Sequence, residues 1–221
     1  MKPAAQLIFD LPVRPALRRT DFLVAPCNEE AVALIDTWPE WPEPVQAIYG
    51  AGGSGKTHLV SVWRQMGKIE TLDDLTAAAP PESHDGLAVD AVGDTLSAAE
   101  SEALFHLINH ARASRKSLLL VSRVAPAHIE TPLPDLVSRL RAIPAIALRA
   151  PDDTLLAGLL RKLLADRDMD APQAVVDYLL PRMERDFAAI ERLVAALDRA
   201  ALTHRRALTV PLASDVLAEK P

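Results

Sequence analysis

The chain has 221 residues, of which 49% are hydrophobic and 24% are charged, and its formal net charge is -6. This size suits one α/β domain with a small appendage. The negative balance argues against a protein that coats nucleic acid by itself, because that function needs an excess of Lys and Arg. With Cys27 as the single cysteine there is no internal disulfide, and no apolar run approaches the roughly 20 residues of a membrane span.

Residues 1–20 differ in character from the rest of the chain. They hold a short apolar stretch, residues 6–11 (QLIFDL), followed by prolines and by three arginines, Arg14, Arg18 and Arg19. This pattern predicts an extended N-terminal tail. Lys2 is not followed by a long apolar region, so we expect no signal peptide and a cytoplasmic protein.

After a helix predicted at 31–38, residues 50–57 read GAGGSGKT, a full match to the phosphate-binding P-loop. Glycines let successive backbone N–H groups surround a β-phosphate, Lys56 can reach the β- and γ-phosphate oxygens, and the Thr57 hydroxyl can bind Mg²⁺. The helix predicted after the loop directs its positive end at the same phosphates. The predicted nucleotide-binding residues are Gly50, Ala51, Gly52, Gly53, Ser54, Gly55, Lys56, Thr57 and His58.

Strands and helices alternate through the first two-thirds of the chain. This alternation predicts an α/β fold with a parallel sheet covered on both faces, in a subdomain spanning residues 21–150. Ser97 and Glu100 predict a capping box at the start of the long helix, and Asp135 is the predicted cap of a short one. Strands are predicted at 45–49, 69–72, 87–90, 118–122 and 145–148, and helices from 58, at 98–115 and at 135–141.

From residue 151 onward the helical periodicity dominates. Apolar residues recur at helical spacing over 152–166, 174–183 and 186–204. A strand-like piece at 208–210 and a short helix at 211–218 follow. These patterns predict a small helical subdomain over residues 151–221.

Asp90 stands at the end of a predicted buried strand, where a carboxylate can hold Mg²⁺ through water together with Thr57. An efficient ATPase usually has a second acid beside it to polarise the attacking water. Ala91 follows Asp90 in this chain, and the nearest further acid is Asp94. The spacing therefore predicts weak hydrolysis at the chain's own site.

Two other residue pairs have spacings that suggest chemistry. His106 and His110 lie four apart on a predicted helix, which suits zinc, but Leu107 follows His106 and no third ligand is evident. We interpret the pair as a helix surface. Trp38 and Trp41, beside prolines, favour a packed cap over a base-stacking platform.

Arg139 lies in the segment 134–141 (PDLVSRLR) on the short helix. By itself, an arginine on a short helix is usually a solvated charge. In a P-loop domain it is also a candidate arginine finger, which enters a neighbouring protein's nucleotide site and stabilises the transferred charge.

These segments together resemble the AAA+ family, and within it the DnaA-related lineage of bacterial replication proteins. Residues 22–31 (FLVAPCNEEA) look like the stretch near the adenine, and 50–59 resemble that lineage's P-loop with its trailing Thr-His-Leu. Residues 118–126 occupy the place of the sensor 1 strand. Residues 136–140 (LVSRL) are similar to the box that holds the trans-acting arginine. The helical tail, ending with 197–202 and then 208–211, is similar to the lid of a regulatory branch.

The resemblance implies a negative regulator of replication initiation that binds ADP or ATP with Mg²⁺. Arg139 would act as the catalytic residue on ATP held by DnaA, which turns the initiator off. Residues 6–11 are similar to a peptide that docks on the DNA polymerase sliding clamp, with Gln6, Leu7, Phe9 and Leu11 making contact. Such a peptide buries its apolar side chains in a preformed groove; a disordered apolar tail is the alternative.

The resemblance also implies limits on the partners. Contact with DNA would be indirect, through the clamp, and a homodimer is left open. Because the chain stops soon after the helical lid, we expect it to lack the C-terminal helix-turn-helix of the initiator.

Several positions depart from this resemblance. The second Walker B acid is missing, and the sensor 1 position falls on Ser122 or Arg123. Ala188 takes the place of the sensor 2 arginine, although a shift of one turn substitutes Arg185 or Arg192. Three alternatives stay open: a self-sufficient AAA+ motor or loader, a small-molecule kinase, and an adaptor that joins another client to the clamp.

Overall fold

The computed structural model describes residues 23–76, 84–185, 187–204 and 206–218. These residues form two compact units. One unit is Cys27–Pro151 with Arg185–Ala188, and the other is mainly Asp152–Glu184 and the chain from Ala189 onward. The predicted tail at 1–20, with the segment 6–11, lies outside the described residues.

A five-stranded parallel sheet forms the centre of the first unit, with the strand order β2-β3-β4-β1-β5. Every residue of β4 is buried, as expected where both faces of a parallel sheet are covered. The predicted α/β fold is confirmed. The strands are β1 (Val45–Tyr49), β2 (Ile69–Leu72), β3 (Gly86–Val92), β4 (Ser117–Ser122) and β5 (Ala145–Ala147).

Four helices accompany the sheet: α1 (Glu29–Asp36), α2 (Lys56–Arg64), α3 (Ala98–Ser114) and α4 (Pro134–Arg141). Leu104 and Ile108 lie four residues apart on α3, so they share one face of that helix. Leu136 and Leu140 do the same on α4. All four side chains are buried in one core cluster with residues of the sheet. This packing fixes α3 and α4 relative to each other.

Three tryptophans close the first unit near α1. Trp41 stacks on the buried Trp63 with ring centroids 5.1 Å apart, and Trp38 meets Trp63 edge-on at 6.0 Å. The Trp41 indole N–H donates to the Leu34 carbonyl at 2.7 Å, and the Trp38 indole N–H donates to the Ser117 hydroxyl at 2.9 Å. The interpretation of Trp38 and Trp41 as a packed cap is confirmed.

The second unit is helical among its described residues, with a leucine-rich core. Leu156, Leu160 and Leu164 recur every fourth residue and are buried in one cluster with side chains from the other helices. The helices are α5 (Asp153–Ala165), α6 (Gln173–Leu179), α7 (Phe187–His204) and α8 (Val210–Ala218). Helix α6 ends earlier than predicted because Pro181 has no backbone N–H with which to continue the helical hydrogen bonds.

The predictions for Asp135 and for residues 208–210 were wrong. Asp135 does not cap α4: Leu133 is the cap, Pro134 occupies the first helical position and Asp135 lies in the first turn. The strand-like piece at 208–210 is not a strand, because residues 206–209 have no regular structure and Val210 already begins α8. Leu208 is instead buried in the helical core.

The predicted capping box at the start of α3 is present. The Glu100 carboxylate accepts hydrogen bonds from the Ser97 hydroxyl at 2.6 Å and from the Ser97 backbone N–H at 2.8 Å. The Ser97 hydroxyl in turn accepts from the Glu100 backbone N–H at 3.3 Å. The side-chain bond from Ser97, and then the backbone bond, lower the pKa of the Glu100 carboxyl below its usual 4.5.

We expect Ser97→Ala to raise the pKa of Glu100 toward 4.5, because the main cause of its depression is removed. A carboxyl with a lowered pKa in the folded state stabilises the fold above its ordinary pKa, and this contribution is lost as the pH falls through the lowered value. A carbon-detected NMR titration of Glu100 measures the shift. Ser97→Thr keeps the hydroxyl and is the control; an unchanged titration in Ser97→Ala would contradict this account.

Candidate functional site

The P-loop connects β1 to α2 and has the backbone that the motif requires. Gly53 and Gly55 have φ of 70° and 94°, a left-handed conformation that favours glycine. Gly55 is also the residue that precedes α2. Because the first amides of a helix have no intrahelical acceptors, the loop and the start of α2 provide a set of N–H donors suited to an anion.

Gly50, the first loop residue, is surrounded by backbone. Its N–H donates to the Ser122 carbonyl of β4 at 3.2 Å, and the Leu148 N–H donates to the Tyr49 carbonyl at 2.6 Å. A Cβ atom at Gly50 would overlap the Leu148 carbonyl oxygen. Only glycine therefore fits here without a shift of the backbone.

The Lys56 ammonium group lies inside the loop. It donates to the Gly50 carbonyl at 2.7 Å, to the Ala51 carbonyl at 2.8 Å and to the Ser54 hydroxyl at 3.4 Å. Burial lowers its pKa, the Asp90 carboxylate opposes this effect, and the Arg123 guanidinium adds to it. The structure thus brings Lys56 and Asp90 within electrostatic range of each other.

Asp90 lies at a β-bulge. Strand β3 pairs Val89 with Leu120 and Val92 with Ser122, so β3 advances three residues while β4 advances two. The prediction that this strand ends at residue 90 was wrong: β3 continues to Val92, whose side chain is buried in the core. A bulge bends its strand and redirects a side chain, and Asp90 is half-buried at this point.

The polar end of β4 contributes one of the two residues that the sequence left open at the sensor 1 position. Ser122 is buried, and its hydroxyl donates to the Val124 carbonyl at 2.6 Å. Arg123 is exposed, and its charge acts on Lys56. The side chain that this strand end adds to the phosphate-binding region is therefore Arg123.

Thr57, His58 and the candidate sensor 2 residues are the other positions predicted to contact the nucleotide or the metal. Thr57 and His58 are exposed in the first turn of α2. At the sensor 2 position, Arg185 and Ala188 fall in the unit that contains the P-loop, whereas Arg192 falls in the helical unit. An Arg192 nitrogen there lies 3.9 Å from a Glu184 carboxylate oxygen, an exposed pair that contributes little stability.

Arg139 is half-buried on α4 and is held by uncharged groups. Its Nε donates to the Asn109 side-chain oxygen at 2.9 Å, and an Nη donates to the Asp135 carbonyl at 3.1 Å. The guanidinium carbon lies 4.1 Å from the centre of the Phe105 ring. Within the described ranges, no carboxylate lies within ion-pair distance of Arg139. The guanidinium is thus held in place, and among the described residues its positive charge has no ion-pair partner.

Sequence reasoning missed two residues of this arrangement. Phe105 and Asn109 contact Arg139 from α3, and their spacing of four residues was the available signal that they share a helix face. Arg123 was left as one of two choices. His106 and His110, by contrast, are exposed on α3, and the described part of the chain holds no cluster of three metal-binding side chains.

Comparison with known proteins agrees with this geometry. Residues 153–217 match the family model of the Hda lid domain. Over these residues the chain is therefore similar to the lid domain of the Hda family. It is also 28% identical, over 192 residues, to an uncharacterized protein of Haemophilus influenzae, covering 79% of this chain and 82% of that protein. Among the described residues, no helix is both long and apolar enough to cross a membrane.

Solved structures show the same fold. Domain III of DnaA from Thermotoga maritima matches with a TM-score of 0.76 and 19% identity over 95% of this chain and 100% of that one. AMPPCP-bound DnaA from Aquifex aeolicus matches with a TM-score of 0.68 and 20% identity, over 84% of this chain and 66% of that one. The Thermotoga maritima RuvB branch-migration motor matches with a TM-score of 0.64 and 17% identity, over 86% of this chain and 68% of that one. The sheet and its flanking helices therefore have the fold of these DnaA and RuvB structures.

We expect Gly50→Ala to lower the free energy of unfolding by more than about 2 kcal/mol, because the new Cβ overlaps the Leu148 carbonyl. Gly52→Ala is the matched control. It has no atom within 4 Å of its Cβ position, and we expect a change within about 0.5 kcal/mol. Denaturant unfolding followed by circular dichroism compares the two, and equal losses would refute the close-contact argument.

The charges around Lys56 predict two opposite shifts of its pKa. Asp90→Asn removes the group that raises the pKa and lowers it further, whereas Arg123→Gln removes a group that lowers the pKa and raises it. NMR titration of the Lys56 ammonium group measures both shifts. Shifts of the same sign in the two variants would show that the three charges do not act on one another.

Proposed function

We propose that this chain is an Hda-type negative regulator of replication initiation. It binds an adenine nucleotide, docks on the DNA polymerase sliding clamp and stimulates hydrolysis of ATP held by DnaA. The observation that carries the proposal is the uncompensated guanidinium of Arg139, on an AAA+ domain that precedes a lid of the Hda family.

The P-loop supports nucleotide binding. The left-handed Gly53 and Gly55, the donors at the start of α2 and the half-buried Lys56 together suit the phosphates of ADP or ATP. The AMPPCP-bound DnaA of Aquifex aeolicus has the same fold. Thr57 and Asp90 would hold Mg²⁺, which neutralises phosphate charge when bound.

The chain's own site is built for binding more than for hydrolysis. Asp90 is followed in sequence by Ala91, so the second acid that polarises water in efficient ATPases is replaced. Arg123 adds positive charge beside Lys56 instead. Positive charge favours the retention of phosphates, but it does not activate a water molecule.

Arg139 has the properties of a residue that acts on another protein's nucleotide. An arginine finger stabilises the negative charge of the transferred phosphoryl group, and it is supplied in trans in many P-loop systems. A guanidinium already paired with a carboxylate would supply little net charge. Arg139 is held only by an amide, a carbonyl and an aromatic ring among the described residues.

The clamp is the proposed second partner, through Gln6, Leu7, Phe9 and Leu11. This part of the proposal is based on the resemblance of residues 6–11 to a clamp-docking peptide. The overall charge of -6 supports DNA contact through the clamp rather than directly. Docking on a DNA-loaded clamp would place Arg139 near DnaA on the same DNA.

The test is hydrolysis of DnaA-bound ATP in the presence of clamp loaded on DNA. We expect the chain to accelerate hydrolysis and Arg139→Ala to lose at least about 100-fold of that acceleration, since arginine fingers contribute about 10³- to 10⁵-fold. Arg141→Ala, an exposed arginine on the same helix, is the matched control and should retain it.

Two further samples separate the alternatives. Deletion of residues 1–11 should abolish stimulation at limiting concentration while leaving nucleotide binding intact. Fast hydrolysis by the chain alone, lost in Lys56→Ala, would indicate a self-sufficient ATPase. Clamp binding through the tail without any effect on DnaA would indicate an adaptor for another client.

A further inference from the structure

Two side chains of α3 contact Arg139 of α4 and hold it in place. We propose that Phe105 and Asn109 are positioning residues: they aim the Arg139 guanidinium outward and keep its charge uncompensated for the phosphoryl group of another protein. The inference rests on the proposed trans-acting role of Arg139. It goes further because it names two neutral side chains as the reason why the Arg139 guanidinium is held in place without an ion-pair partner.

The placement of these residues follows from helix packing. Phe105 and Asn109 are four residues apart, so both lie on the same face of α3, and both are half-buried. Buried leucines and isoleucine hold α3 and α4 in one core. The two partners and Arg139 are therefore presented by rigid elements rather than by loops.

The contacts leave the outer end of the guanidinium available. An arginine side chain has five N–H donors. The Nε–H is directed to Asn109 and one Nη–H to the Asp135 carbonyl, while Phe105 covers one flat face at 4.1 Å without taking a donor. Within the described ranges, the remaining donors have no protein acceptor, and two of them form a fork that suits a phosphate.

The neutrality of Asn109 is the decisive chemical feature. A carboxylate at the same place, 2.9 Å from Nε, would form an ion pair with Arg139 and cancel the charge that a phosphoryl group must meet. The amide oxygen holds Nε with the same geometry and carries no charge. Phe105 complements it, because an aromatic face attracts a cation without neutralising it.

This assignment predicts an unusual result for a nearly isosteric substitution. Asn109→Asp should retain the contact with Nε and the fold, yet it should reduce the maximal rate of stimulated ATP hydrolysis by about 100-fold. The concentration of chain that gives half-maximal stimulation should stay within about twofold of the wild-type value, since docking is not altered. His110→Asp adds the same charge at the next, exposed residue and is the matched control.

The ring is tested separately. Phe105→Leu should reduce the maximal rate by about 10-fold, whereas Phe105→Tyr keeps the aromatic face and should stay within about threefold. In the chain alone, the NMR signal of the Arg139 Nε–H should lose its ring-current shift in Phe105→Leu and keep it in Phe105→Tyr. That signal reports the contact without any partner protein.

The outcomes distinguish this inference from the proposed function. If Arg139→Ala stimulates DnaA fully, the proposed function fails and the inference fails with it. If Arg139→Ala is inactive but Asn109→Asp reaches the wild-type maximal rate, only the positioning assignment is overturned. It is also overturned if Asn109→Asp instead raises the concentration of chain needed for half-maximal stimulation, or lowers the melting temperature of the chain. An equal loss of maximal rate in His110→Asp overturns it as well.

Discussion

Strand β1 is hydrogen-bonded along both edges, and the rest of the site depends on this constraint. It pairs with β4 on one side and with β5 on the other, and the Ser122 carbonyl and Leu148 amide bond to the chain where β1 becomes the P-loop. The loop therefore leaves the sheet from a fixed point. The parallel strands β3 and β4 then deliver Asp90 and Arg123 to the same edge of the sheet, where both charges act on Lys56.

The sequence predicted those features whose causes are local. Phosphate binding imposes the glycine spacing of the P-loop, burial imposes the apolar run of β4, and Ser97 with Glu100 forms a cap within one turn. The bulge at Asp90 was not predictable, because an extra residue in one strand is visible only in its pairing with another. Residues 208–210 were misassigned for a related reason: a short apolar run can join a sheet or a helical core, and the tertiary neighbours decide which.

Two arginines of the first unit differ in what surrounds them. Arg123 is exposed, and its charge acts on Lys56 together with that of Asp90. Arg139 is held between α3 and α4 by neutral partners, and among the described residues no carboxylate forms an ion pair with it. In the proposed function, Arg123 strengthens the binding of the chain's own nucleotide, and Arg139 acts on the nucleotide of another protein. Under that proposal, one domain would retain its own nucleotide at one site and activate hydrolysis in its partner from another.

The bulge in β3 has a consequence for how the chain tolerates insertions and deletions. Replacing a residue between Val89 and Val92 changes chemistry at one position and leaves the pairing on either side in place. Deleting one residue there would remove the bulge, and Val92 would then stand two residues after Val89, on the same face of the sheet and still opposite Ser122, so it would keep its place in the core. The extra residue therefore serves the direction of the Asp90 side chain rather than the position of Val92, so a relative without it should keep this core but aim its carboxylate differently.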